Sequence, residues 1–122
     1  MKLHLTRAEG RNLFTGYGEG YVSVNDQRHS RNIVVAPDHA VQAWDVESWE
    51  TLTARHMQAP LELEPEIVIL GTGARLRFPG PEIGRALAEA SVGFEAMDTK
   101  AACRTYNILM SEGRRVVAAI FI

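Results

Sequence analysis

The sequence predicts a mixed α/β fold in a single domain that spans residues 1–122. Short strand-like segments with turn signals fill the N-terminal third, which indicates an antiparallel portion. Strand-like and helical segments alternate in the second half, which indicates at least one right-handed crossover between parallel strands. Residues 116–122 are apolar on both faces, as is typical of a central strand in a covered sheet. Together these observations predict a mixed β-sheet with helices packed on one side.

The N-terminal strands form a predicted hairpin. Tyr21–Val24 and residues 28–36 flank Asn25 and Asp26, two residues that favour turns. Glycines alternate through residues 16–20, just before the hairpin, which indicates a bend or β-bulge where two backbones approach closely. A further short strand is predicted at residues 41–44.

The middle of the chain predicts one helix and then strands. Ser48 is a candidate N-cap, and Trp49, Leu52, Thr53 and His56 fall on one face of a helix. Residues 61–65 alternate in polarity, residues 66–70 form an apolar run of strand length, and residues 75–78 alternate again as a short strand. Glu62, Glu64 and Glu66 would therefore lie on one side of an extended segment.

The C-terminal third predicts two helices separated by a strand. Pro81 after Gly80 marks a helix start, with Ile83, Ala86, Leu87 and Ala90 on its buried face. Residues 93–96 form a short strand, Asp98 caps the next helix, and Gly113 suits the position after its end. The buried face of this last helix is predicted to consist of Thr99, Ala102, Cys103, Tyr106 and Met110.

Charge and termini exclude several classes of protein. The net charge of −2 and the pI of about 6.1 argue against a nucleic-acid partner, which calls for a basic surface. The single cysteine, Cys103, allows no intramolecular disulfide and is compatible with a reducing compartment. The N-terminus lacks a signal peptide, and the longest apolar run is too short for a transmembrane segment. A cytoplasmic location follows as the expectation.

No cofactor or metal is expected. Gly71 and Gly73 lack the third glycine and the following helix of a dinucleotide-binding fingerprint, and no Walker pattern is present. The histidines have no spacing that makes a metal site; they are His4, His29, His39 and His56. Cys103 lies mid-helix, where nothing in the sequence lowers its pKa, so a core role is favoured over a nucleophilic one.

Two segments form the candidate ligand site. Gly71, Thr72 and Gly73 follow a buried strand, where α/β proteins often bind ligands, and Arg75 or Arg77 could help them hold an anion. The helix start at Asp98 and Thr99 offers N–H groups to the same ligand. The alternatives are a plain tight turn and a helix that Asp98 caps by itself.

Two residues further along this helix complete the candidate site. Tyr106 and Asn107 could line the pocket with their polar groups. The alternative for Tyr106 is a core residue whose hydroxyl is satisfied within the protein. Asn107 is the harder residue to explain by packing, because asparagine in the middle of a helix has poor propensity.

The C-terminal block carries a family resemblance. The segment from Phe94 to Leu109, with Glu112 to Val116, resembles the signature of a small domain family of bacteria, archaea and mitochondria. That family includes the third of the numbered assembly factors of mitochondrial respiratory complex I. Earlier segments match in the same order: residues 16–18, Val34 with Val35, Trp44, residues 69–73, and Phe78 with Pro79. The resemblance implies a three-layer β/β/α fold, no agreed activity in bacteria, and function through protein partners.

A protein-interaction or assembly role without catalysis is therefore the leading hypothesis, because no catalytic constellation is visible. The alternative is a domain or enzyme that binds a small molecule or anion in a pocket near Gly71, Thr72, Gly73, Asp98 and Thr99. The glutamate stripe is a candidate partner surface or a guard against edge-to-edge pairing. Association into a C₂ dimer is compatible with the size of the chain.

Overall fold

The computed structural model describes residues 10–122. Its strands, in chain order, are β1 (Phe14–Gly18), β2 (Tyr21–Val24), β3 (Gln27–His29), β4 (Ile33–Val35), β5 (Gln42–Ala43), β6 (Ile67–Thr72), β7 (Gly93–Met97) and β8 (Val116–Phe121). Its α-helices are α1 (Gln58–Leu61), α2 (Pro81–Glu89) and α3 (Thr99–Ser111). Two short 3₁₀ helices, Trp49–Thr51 and Ala54–Met57, precede α1.

The strands form two sheets. A small antiparallel sheet has the order β1-β2-β3, and a larger mixed sheet has the order β5-β4-β8-β6-β7. In the larger sheet β6 runs parallel to β7 and β8, whereas β4 runs antiparallel to β5 and β8. The prediction that the last strand is central is confirmed, since every residue of β8 is buried. The predicted bulge is present as well, because Phe14 faces Val24 whereas Gly16 faces Ser23.

Apolar residues cover both faces of the large sheet. Along β8, Ala118 and Ile120 belong to a cluster with β1, β2 and α3, whereas Ala119 and Phe121 belong to a cluster with α2 and the 3₁₀ segment. The mixed α/β class is thus confirmed. The expectation that the helices pack on one side is corrected, because α2 buries Ile83 against the face opposite α3.

The predicted strand at residues 28–36 is two strands in different sheets. β3 ends at His29 and pairs with β2, and β4 begins at Ile33 and pairs with β8. Asn32 fixes the break: its side chain donates to the Val46 carbonyl at 3.0 Å and accepts from the Ile122 N–H at 2.9 Å. The chain therefore leaves the small sheet at this point and enters the large one.

The single helix predicted after Ser48 is interrupted. Two local hydrogen bonds restart the chain: the Ser48 N–H donates to Thr51 Oγ1 at 3.2 Å, and the Thr53 N–H donates to His56 Nδ1 at 2.9 Å. Each bond begins a separate 3₁₀ turn, and Leu52 between them is extended. Side chains that compete for backbone groups in this way override the helical spacing.

The extended segments predicted on either side of β6 are also wrong. Residues 61–65 leave α1 through a turn, and Glu64 adopts a left-handed φ of 53°. The glutamates thus do not share one side of a strand, and Glu66 instead accepts the Arg115 N–H at 3.0 Å and contacts Arg114 at 3.4 Å. The hydrogen bond from the Arg115 backbone, together with the positive charges of Arg114 and Arg115, lowers the pKa of Glu66. Residues 75–78 form an exposed loop.

The C-terminal elements match their predictions closely. Pro81 occupies the first turn of α2, where Ile83 and Leu87 are buried, although Ala90 is exposed. Gly113 follows α3 with a φ of 80°, as a helix end requires. All five residues predicted for the inner face of α3 are buried: Thr99, Ala102, Cys103, Tyr106 and Met110.

Two further observations concern residues 10–122 alone. No helix among them has the length and apolar character to cross a membrane. No group of three or more His, Cys, Asp or Glu side chains within this range is placed to hold a metal ion. The predictions made for His4 and for the N-terminal seven residues lie outside the described residues.

Candidate functional site

The two segments of the candidate site meet at Thr99. Its N–H donates to the Gly73 carbonyl at 2.9 Å, and its Oγ1 accepts the Gly73 N–H at 2.9 Å. The same hydroxyl donates to the Phe121 carbonyl at 2.6 Å. One buried threonine therefore joins the start of α3 to the ends of β6 and β8. Gly73 and Thr99, which are 26 positions apart in the sequence, are thus in direct contact in the structure.

Gly71 is explained by this close approach. A Cβ atom at position 71 would lie 2.8 Å from Ile120 Cδ1, 3.0 Å from Thr99 Oγ1 and 3.3 Å from Ala102 Cβ. Contacts that short require a neighbour to move. Glycine at this position thus lets α3 press directly on β6.

The polar groups of the turn after β6 are used within the protein. The Thr72 hydroxyl donates to the Arg75 carbonyl at 2.7 Å and accepts the Arg77 N–H at 3.1 Å. The Arg77 guanidinium donates to the Thr72 carbonyl at 3.2 and 3.0 Å and stacks 4.7 Å from the centroid of the Trp49 ring. Arg77 therefore holds the turn together, as the alternative of a tight turn requires.

Asp98 acts as the predicted helix cap. Its carboxylate accepts the Ala101 N–H at 2.9 Å, and its carbonyl accepts the Ala102 N–H at 2.9 Å. The backbone N–H of Lys100 has no acceptor among residues 10–122. It is the donor in this first turn that remains available to a ligand.

The structure places Tyr106 and Asn107 against β1. The Tyr106 hydroxyl donates to the Asn12 carbonyl at 2.9 Å, and its ring forms a T-shaped pair with the Phe14 ring, with the ring centroids 5.1 Å apart. The Asn107 side chain donates to the Phe14 carbonyl at 2.7 Å and accepts the Phe14 N–H at 2.9 Å. Both residues are buried, and their polar groups are satisfied by the main chain.

Cys103 lies in the core next to these residues. The side chain is fully buried, and burial raises the pKa of its thiol to about 12. A thiol with so high a pKa stays protonated at neutral pH and is a poor nucleophile. Burial also raises the pKa of Tyr106.

A cleft of about 280 Å³ opens where the candidate segments converge. Its walls are residues 17–22 of the β1–β2 hairpin, Gly73 with Ala74, Thr99 with Lys100, and residues 121 and 122. Of the seven residues predicted for the site, Gly73 and Thr99 line this cleft. The sequence-predicted site does not include the hairpin wall, although the alternating glycines at residues 16–20 lie in it.

Cations surround the two tyrosines of the cleft. The Arg28 guanidinium lies 4.0 Å from the centroid of the Tyr21 ring, and Lys100 Nζ lies 5.8 Å from that of Tyr17. Arg104 donates to the Tyr17 hydroxyl at 2.9 Å. This arrangement places three positive charges beside the cleft in a chain whose net charge is −2.

A second surface feature is the loop between β6 and α2. Phe78 is 79% exposed and Leu76 is 48% exposed, although Arg77 between them is fixed against Trp49 and Thr72. The strand predicted at residues 75–78 is absent, and Arg75, Leu76 and Phe78 are all exposed whereas Arg77 is half-buried. Within residues 10–122 no strand pairs with this segment, which leaves its apolar side chains Leu76 and Phe78 exposed to solvent.

Comparison with known proteins gives a consistent result. A bovine protein named NADH dehydrogenase [ubiquinone] 1 alpha subcomplex assembly factor 3 is 37% identical over 103 residues, which is 83% of this chain and 55% of the bovine protein. A Francisella tularensis protein named 13 kDa major membrane protein is 31% identical over 111 residues, or 88% of this chain and 89% of that protein. The present chain thus spans about half of the first relative and most of the second.

Solved structures agree with this relationship. A crystal structure of a Bordetella parapertussis protein superposes with a TM-score of 0.88 at 47% sequence identity, over 94% of this chain and 98% of the other. The family model described as "Protein of unknown function (DUF498/DUF598)" matches residues 14–121. This range includes every strand of both sheets and all three α-helices. The chain therefore belongs to the DUF498/DUF598 family.

Proposed function

We propose that the protein acts by binding another protein, in an assembly-type role without catalysis of its own. Two observations support this proposal. The bovine relative is named as an assembly factor, and the chain shares 37% identity with it over most of its own length. The second is the exposed loop between β6 and α2, which is the structural observation that carries the proposal.

The loop has the properties of a binding anchor. Phe78 and Leu76 are exposed on this loop, and the Arg77 guanidinium between them is held by two hydrogen bonds and a ring contact. A loop that is already ordered loses little conformational entropy on binding. Aromatic side chains also dominate the binding energy of protein interfaces. An exposed phenylalanine on a fixed loop is therefore suited to insertion into a partner.

The chemistry of the loop indicates the kind of partner. Arg75 is exposed next to Leu76, and its carbonyl, not its guanidinium, is bound by Thr72. We expect a protein with an apolar pocket for Phe78 and a carboxylate at its rim for Arg75. Such a pairing would give affinity through the aromatic ring and orientation through the charge.

The test is co-purification from extracts of the native host at low salt. Phe78→Ala should reduce recovery of the bound protein at least about 10-fold, because truncation of an aromatic anchor typically removes ~2 kcal/mol or more of binding free energy. The folded state should be unaffected, since the ring contributes little to the core. Arg75→Gln should cause a smaller loss that disappears at high salt.

Ile108→Ala is the matched control, because Ile108 is a large apolar side chain on α3 that is 53% exposed. Equal recovery with the wild type and Phe78→Ala would contradict the role of the loop. A photo-reactive residue at position 78 that cross-links to the recovered protein would support direct contact. Recovery of the protein alone, with no partner, would contradict the interaction function itself.

The cleft supports a second candidate function, the binding of a small molecule. The observation that favours it is the convergence of Gly73 and Thr99 at a concavity of about 280 Å³. This volume is close to the lower bound of typical ligand sites. The leading role and this one are compatible, because the exposed side chains of the loop, Arg75, Leu76 and Phe78, are not among the residues that line the cleft.

Three expectations from the sequence remain predictions. A cytoplasmic location is tested by fractionation of the native host, and recovery in the membrane fraction would contradict it. Self-association as a dimer is tested by sedimentation equilibrium, in which a monomer mass of 13.5 kDa would contradict it. The absence of nucleic-acid binding is tested by gel shift at low salt.

A further inference from the structure

The cleft between the β1–β2 hairpin and the start of α3 has an apolar interior and a positively charged rim. We propose that it binds a small ligand that joins an apolar body to one anionic group. This inference rests on the second candidate function, that the cleft is a ligand site. It adds the chemical class of the ligand.

The wall formed by Tyr21 is built around a glycine. A Cβ atom at Gly18 would lie 2.4 Å from Tyr21 Cε1 and 2.8 Å from its hydroxyl oxygen. The ring thus lies directly on the backbone of residue 18, and the Arg28 guanidinium covers it at 4.0 Å from its centroid. Glycine at position 18 and arginine at position 28 together fix the orientation of this ring.

The interior of the cleft is apolar. Val22 is 1% exposed and Phe121 and Tyr17 are each 4% exposed, so these side chains belong to the core and present only an edge to the cleft. The Thr99 hydroxyl, which also faces this region, is already engaged with Gly73 and Phe121. A ligand body in contact with such groups gains most from apolar or aromatic character.

The rim carries the charge. Lys100 lies on the cleft and its ammonium is 5.8 Å from the Tyr17 ring centroid. Arg104 and Arg28 contact the two lining tyrosines, and Glu19 is the acidic side chain of the cleft. Lys100 and Glu19 thus line the cleft with opposite charges, Asp98 adds a carboxylate at the adjoining helix start, and Arg104 and Arg28 bring the number of cationic side chains here to three.

The start of α3 adds positive electrostatic potential to the rim of the cleft. The helix has 13 residues, and its N-terminal end carries a partial positive charge. The available N–H of Lys100 lies in this first turn. An anionic group at this point would receive one backbone hydrogen bond and one charge interaction from the same residue.

The experiment compares two acids with their uncharged amides by NMR titration of the ¹⁵N-labelled protein. The probes are 4-phenylbutyrate with 4-phenylbutyramide, and octanoate with octanamide. We expect the acids to shift the amide signals of Gly18, Gly73 and Lys100, and to bind more tightly than the amides. Lys100→Gln should weaken the acids by about 2- to 5-fold, the effect of an exposed charge pair, and leave the amides unchanged.

Two variants complete the design. Arg85 is an exposed cation on α2, which packs on the face of the large sheet opposite α3. Arg85→Gln should therefore leave the affinities for both acids and both amides unchanged. Gly18→Ala should weaken acids and amides together, because the Tyr21 ring must move. Equal affinity for acids and amides would overturn the anionic class while the cleft remains a ligand site. Absence of shifts at the cleft with all four probes, up to millimolar concentration, would overturn the ligand function itself.

Discussion

Asn107 shows how one side chain can replace a strand partner. Its amide accepts the Phe14 N–H and donates to the Phe14 carbonyl, at 2.9 and 2.7 Å, in a buried setting. These two main-chain groups lie at the bulge of β1, where regular pairing with β2 is interrupted. Because buried backbone groups without partners are costly, the asparagine stabilises the bulge and ties α3 to the small sheet.

Asn107→Ala should therefore lower the free energy of unfolding by about 2–4 kcal/mol, since both Phe14 groups lose their partner. Urea denaturation measures this loss. Thr105→Ala, a half-buried change on the same helix, should cost less than about 1 kcal/mol. If the two variants were equally stable, the bridge would not be the function of Asn107.

Asn107→Asp adds a dependence on pH. An ionised carboxylate still accepts the Phe14 N–H but repels the Phe14 carbonyl, whereas a protonated carboxyl can donate to it. The folded protein should thus raise the pKa of the new carboxyl above its ordinary value of about 3.9. The folded state then binds more protons than the unfolded state, so stability relative to the wild type should fall as the pH rises above 4. Denaturation at pH 3.5 and pH 7 checks this sign.

The sequence predicted the oddity of Asn107 but not its role. Asparagine is unfavourable in the middle of a helix, so its presence there requires a tertiary contact. That contact is with the main chain of Phe14, 93 positions away in the sequence. Nothing in the sequence singled out Asn32, whose partners Val46 and Ile122 lie 14 and 90 positions away. Long-range pairs of this kind leave no local pattern, because each residue is recognised by a backbone that is distant in sequence.

At the scale of elements, α3 is attached to the large sheet through its first residue. Thr99 bonds to the ends of β6 and β8 with one hydroxyl, and Asp98 caps the helix beside it. Gly71 removes the side chain that would separate helix and strand. Three neighbouring residues therefore hold the start of α3 against the sheet: Asp98 caps the helix, Thr99 hydrogen-bonds to both strands, and Gly71 allows the close contact.

Thr99→Val should be more destabilising than Asp98→Ala. Loss of the cap costs about 1 kcal/mol, whereas valine leaves the buried Gly73 N–H and Phe121 carbonyl without their partner, at about 1–3 kcal/mol for each. Thr99→Ser keeps the hydroxyl and should retain most of the stability. Thermal unfolding of the three variants tests this order, and a valine variant as stable as the serine variant would refute the bridge.

Elements were predictable where local signals agreed. Helices α2 and α3 have a proline or aspartate at the start and apolar residues at helical spacing, and both form as expected. The segment from Ser48 to His56 has the same spacing but contains two side chains that bind nearby N–H groups, so it forms 3₁₀ turns. Periodicity shows which residues face the core, and hydrogen bonds to side chains decide how the chain turns between them.

At the scale of the whole molecule, the two sheets differ in how they are covered. The large sheet is packed on both faces, and its central strands β8 and β6 are almost entirely buried. The small sheet has three short strands, of which β3 is largely exposed. The class of the fold was predictable from strand and helix order, whereas the division into two sheets depends on the turn at Asn32.

This difference predicts two levels of protection from hydrogen exchange. The amides of β8 and β6 should exchange only through global unfolding, because their hydrogen bonds lie between strands covered on both faces. Amides of β2, the central strand of the small sheet, should exchange through a smaller opening that detaches this sheet from α3. In Asn107→Ala the β2 amides should therefore lose more protection than those of β8, as native-state exchange measured by NMR would show. Equal loss in both strands would mean that the two sheets unfold as one unit, with the bridge at Phe14 as part of a single cooperative core.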